Sequence, residues 1–130
     1  SPMAMEVTFP GGERVEARYN GHTIITDQDG PEPAPFDLFL ASIATCAGLY
    51  VARFCQRRSI PIDKLRVVQR PVLKPGTKTV ERIELEIELP DGFPEQYRSA
   101  VVRSANLCTV KKHLDNPPVI DVTTTVATPT

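Results

Sequence analysis

The sequence predicts an α+β fold of order βββ-α-ββ-α-β, with two helices packed on an antiparallel sheet. Three observations carry this expectation. Residues Pro35 to Cys55, PFDLFLASIATCAGLYVARFC, form a long run of apolar and small residues that reads as a helix buried on most sides. Asn20-Gly21, a pair that tolerates positive φ at both positions, separates two short strand-like runs as a hairpin turn. Ile83, Leu85, Ile87 and Leu89 alternate with Glu84, Glu86 and Glu88, which requires a strand with one buried and one solvated face.

The chain of 130 residues fits one domain and can bury a core without staples. A net charge of −1 offers no basic field for nucleic acid and no polybasic run for a membrane surface. With no Trp and three Tyr, a base-stacking platform is also excluded. Three cysteines and no secretory leader do not make a disulfide framework, and point to a reducing, cytoplasmic setting. Ser1-Pro2-Met3 resembles a tag-cleavage remnant and is set aside.

The elements follow in order. Met5 to Phe9 is a first strand and Pro10-Gly11-Gly12 a turn. Glu13 to Tyr19 alternates around Val15, Ala17 and Tyr19, and His22 to Thr26 completes an antiparallel meander. Asp27 to Ala34 is a polar, proline-rich loop. Pro35 suits the first helical position, and Asp37 complements the helix dipole in the first turn. The helix is expected to run to about Arg58, since Ile60 precedes Pro61 and avoids helical geometry. Its uncharged part, Phe36 to Ala52, lies at the short end of the roughly 17–25 residues that span a bilayer. A buried helix, not a membrane span, is the expectation.

Leu65 to Leu73 reads as a strand, Lys74-Pro75-Gly76-Thr77 as a turn and Val80 to Leu89 as the next strand, its glutamate row a solvated face. Pro94 opens a second helix with Glu95 in its first turn. Tyr97, Val101, Ala105 and Cys108 fall on one helical stripe, and Lys111-Lys112-His113 lies near the helix end. After Asn116-Pro117-Pro118, the β-branched stretch Val119 to Val126 reads as a final strand.

Chemistry points to the cysteines. Ser42, Leu49, Tyr50 and Arg53 share the face of Cys46, whereas Cys55, nine positions on at about 100° per residue, points the opposite way. The partner for Cys46 is therefore Cys108, across a helix–helix contact that the small residues Ala44, Ala47 and Gly48 admit. A free cysteine most often fills space, and Cys55 reads as that. A cation beside Cys46 or Cys108 would lower its pKa and make it a nucleophile. There is no C-x-x-C, and His22 and His113 are isolated, so neither a metal nor another cofactor is expected.

PFDLFLASIATCAG, followed after a second helix by CTVKKHL, resembles the OsmC/Ohr family of osmotically inducible and organic hydroperoxide resistance proteins, over nearly the whole chain. The resemblance implies an intertwined homodimer whose sheets wrap the paired central helices, with two sites at the interface. It also implies reduction of organic hydroperoxides at the expense of a dithiol. Carried over, Cys46 is the peroxidatic cysteine and Cys108 the resolving one. Asp37 matches a family acid, and an arginine of the N-terminal strands, Arg18 or its neighbour Arg14, is expected to hold the thiolate. Phe36 stands where family peroxidases carry the glutamate that pairs with that arginine, and Thr109 replaces the proline after the second cysteine. These departures mark a divergent branch, in which Arg53 is a further candidate for the missing charge. Two other functions fit the same residues. One is a non-catalytic dimeric module binding an apolar or acyl ligand near Phe36, Phe39 and Tyr50. The other is a cysteine redox sensor.

Overall fold

The computed structural model describes residues 4–129, so Ser1–Met3, read above as a tag remnant, lie outside the described residues. The fold is α+β. Strands β1 (Glu6–Gly11), β2 (Arg14–Tyr19) and β3 (His22–Thr26) precede helix α1 (Pro35–Gln56). Strands β4 (Arg66–Leu73) and β5 (Val80–Glu88) follow, then a 3₁₀ turn (Glu95–Tyr97) and helices α2 (Arg98–Ala105) and α3 (Thr109–Asp115). The strands form two antiparallel sheets, β1-β2-β3 and β4-β5, where a single sheet was expected.

Local chemistry sets the boundaries. Asn20 and Gly21 take φ of 48° and 77°, so Tyr19 meets His22 directly across a tight turn. At the start of α1, Asp37 accepts a hydrogen bond from the Ala34 N–H at 2.9 Å, and the Asp37 N–H donates to the Ala34 carbonyl at 2.9 Å. At the other end Ser59 adopts φ 56°, the Ser59 N–H donates to Gln56 O at 3.1 Å and the Ile60 N–H to Cys55 O at 2.9 Å. This left-handed closure, followed at once by Pro61, stops the helix where the sequence predicts.

Helix α1 is long and apolar enough to cross a membrane by length and composition. In this fold the same residues make the core: Val51, Phe54 and Cys55 pack with Val101 of α2. Arg58 lies 3.5 Å above the Phe54 ring and 5.2 Å from Tyr97, and donates to the Phe54 carbonyl at 2.9 Å. Phe54 and Tyr97 meet edge to face at 5.9 Å, so the end of α1 is fastened to the turn before α2. Gln69 of β4 donates to the Leu40 carbonyl at 3.0 Å, which seats the second sheet on α1. On the outer side of that sheet Arg66–Glu88 and Arg70–Glu86 pair at 3.4 and 3.2 Å, so the glutamate row is a solvated, charge-paired face.

Two expectations are corrected. The second helix is not continuous: α2 ends at Ala105, and α3 restarts at Thr109 with Cys108 as its N-cap. Asn106 is a poor interior helix residue, and the Cys108 sulfur offers the new helix an acceptor for the Lys111 N–H at 3.4 Å. The stretch Val119–Val126 forms no strand. Val119, Ile120, Val122 and Val126 are 86%, 83%, 88% and 95% exposed. A strand needs a neighbour for its backbone groups, and this segment meets none within the described chain.

Candidate active site

The break between α2 and α3 builds the site. Ser104 of α2 donates to the Tyr50 carbonyl of α1 at 3.1 Å, which docks the two helices. The chain then turns, buries Cys108 to 1% exposure, and points the first turn of α3 at Cys46. Cys46 is half-buried in the fourth turn of α1. Its sulfur receives hydrogen bonds from the Cys108 thiol and from the backbone N–H groups of Val110 and Thr109.

The two thiols are thereby driven apart. Burial pushes the Cys46 thiol up, but the Cys108 hydrogen bond and the two N–H donors outweigh it and hold Cys46 below the ordinary thiol value. Cys108 moves the other way. Burial raises it, and so does its hydrogen bond to Cys46, while the Lys111 and Val110 N–H groups offset only part of that. Cys46 is the more acidic thiol of the pair and Cys108 the less acidic one. Cys55 is fully buried and raised by burial, with Arg58 pulling weakly in the opposite sense, as befits a core residue.

No arginine is among the groups that lower the Cys46 thiol; all are neutral. Arg14 and Arg18 lie on β2, with Arg18 opposite Glu6 and Thr23, in the sheet separate from the one seated on α1. Arg53 sits 5.7 Å from the Tyr50 ring. Asp37 is engaged with the Ala34 N–H at the helix start. Phe36, 51% exposed, stacks on Phe39 at 5.4 Å. Gly48 faces open space, since a Cβ there would meet nothing within 4 Å. The residues that sequence reasoning missed are Thr109 and Val110, which act through their backbone. The available signal was Thr109 itself, because a proline at that position has no N–H to give.

A cavity of about 760 Å³ opens between α1, α2 and β5. It is lined by apolar residues such as Val51, Ile87 and Val101, with Cys108 on its wall and Arg98, Arg103 and Lys111 among its polar groups. Among the described residues no three His, Cys, Asp or Glu side chains gather as a metal site needs.

The family model for OsmC-like protein matches residues 27–123, a span that includes all three cysteines and all three helices. This chain belongs to the OsmC family. Solved structures agree on the OsmC-like fold. A protein of Psychrobacter arcticus, named for an osmotic stress and detoxification response, is 22% identical with a TM-score of 0.69, over 83% of this chain and 85% of that one. An OsmC-like protein of Mycoplasma pneumoniae is 16% identical with a TM-score of 0.66, over 90% and 89% of the two chains. An organic hydroperoxide resistance protein OsmC of Legionella pneumophila is 15% identical with a TM-score of 0.55, over 88% and 89%. Among curated proteins none matches.

Proposed function

We propose that this OsmC-family protein is a thiol-dependent peroxidase acting on organic hydroperoxides. The observation that carries this reading is the polarised pair: a half-buried Cys46 held below the ordinary thiol value, with the thiol of Cys108 hydrogen-bonded to it. The Cys46 thiolate attacks the distal oxygen of the hydroperoxide; an S–O bond forms, the O–O bond breaks and an alcohol leaves. Cys108 then condenses with the sulfenic acid, releasing water and closing a disulfide. A dithiol reductant restores both thiols by exchange, in keeping with a cytoplasmic, reducing location. The Legionella relative, named for organic hydroperoxide resistance, supports the same substrate class.

The test is hydroperoxide consumption in the presence of a dithiol. Wild type is expected to turn over and Cys46→Ser to be inert. Equal activity in the two, or none in folded, reduced wild type with several organic hydroperoxides, sinks the reading.

The working unit of this proposal is a homodimer. The exposed β-branched stretch Val119–Val126 and the open space at Gly48 are surfaces that a second copy would cover. Arg18 of one copy would then have a route to Cys46 of the other. A second reading, an apolar or acyl-ligand binding module, is favoured by the cavity of about 760 Å³, a size suited to a small ligand. Native mass spectrometry for a co-purified lipid separates the two.

A further inference from the structure

The peroxidase step leaves a proton unassigned. Attack by the Cys46 thiolate expels an alkoxide, a far stronger base than a phenolate, so an acid beside the sulfur would speed O–O cleavage. The Cys108 proton is needed later, for the water released on disulfide closure. Tyr50 lies one helical turn after Cys46, and a long side chain on a helix leans back toward the preceding turn. Its hydroxyl is 3.3 Å from Thr109 Oγ1. Thr109 in turn donates its backbone N–H to the Cys46 sulfur, so one residue links the phenol to the reacting atom. Ser104 fixes the Tyr50 backbone from α2, and the Arg53 guanidinium lies 5.7 Å from the Tyr50 ring.

We infer that the Tyr50–Thr109 hydroxyl pair is the proton source for the departing alkoxide. This rests on the peroxidase reading. The step balances: Cys46–S⁻, ROOH and Tyr50–OH give Cys46–SOH, ROH and Tyr50–O⁻, and the phenolate recovers its proton from water. Thr109 Oγ1 is in hydrogen-bond reach of the phenol and can pass the proton, since either hydroxyl can donate to the other.

The test exploits leaving groups. Cumene hydroperoxide must expel an alkoxide and needs the acid; peroxyacetic acid expels a carboxylate and does not. Single-turnover oxidation of Cys46 is followed with each reagent. Tyr50→Phe is expected to lose about a hundredfold with cumene hydroperoxide while staying within about twofold of wild type with peroxyacetic acid. Thr109→Val keeps the backbone donor but loses the hydroxyl, so it should show a smaller loss with the same selectivity, and Thr109→Ser should recover it. Equal losses with both reagents, or no loss with either, overturn the inference while leaving the peroxidase reading intact. A wild-type Cys46 inert to cumene hydroperoxide brings down the peroxidase reading, and this inference with it.

Discussion

At the scale of single residues, the site runs on neutral donors. Because Cys46 is held below the ordinary thiol value, its alkylation rate should show a midpoint below the roughly 8.5 of a free cysteine. Cys108→Ala removes one donor and should move that midpoint up; Thr109→Pro removes another and should do the same. An iodoacetamide rate–pH profile checks both. The sign for stability follows from linkage. The contribution of Cys46 is fully present above its unfolded-state value and is lost as pH falls through the depressed folded value. That of Cys108, raised in the fold, is present below its unfolded-state value and is lost as pH rises through the elevated one. The pairing of Cys46 with Cys108 was legible in the sequence, because helical geometry turns Cys55 away and leaves one partner. The Thr109 and Val110 donors were not, since an amide N–H is common to almost every residue and only its position gives it a role.

At the scale of elements, legibility followed periodicity. The helix α1 and strand β5 could be read because their apolar patterns are long and regular. The break between α2 and α3 could not, since the Tyr97-Val101-Ala105-Cys108 spacing continues across it while a sulfur cap restarts the helix. The end of α1 offers a check on packing. Phe54→Ala should cost about 3–5 kcal/mol by emptying the core against Tyr97. Arg58→Ala should cost only ~1 kcal/mol, the scale of an exposed cation–π contact. Urea unfolding of the two variants measures the ranking, and a larger loss for Arg58→Ala would refute it.

At the scale of the whole molecule, the proposed homodimer carries a prediction of its own. Val119–Val126 has strand composition but meets no strand among the described residues, and in the proposed homodimer a second chain would supply one. If two copies associate through it, the melting temperature should rise with protein concentration. Val122→Lys should shift the species seen by light scattering toward the monomer; concentration-independent melting would count against the dimer. The cavity between α1, α2 and β5 carries a different consequence. Cys108 is on its wall and Cys46 is not. On the peroxidase reading proposed above, an apolar molecule lodged there would obstruct Cys108 while leaving Cys46 open to oxidant. Oxidation would continue and closure would lag, so the sulfenic acid would persist long enough to meet a second equivalent of peroxide. Occupancy of the cavity should therefore register as sulfinic acid accumulating on Cys46, an irreversible loss of that thiol that grows with hydroperoxide dose.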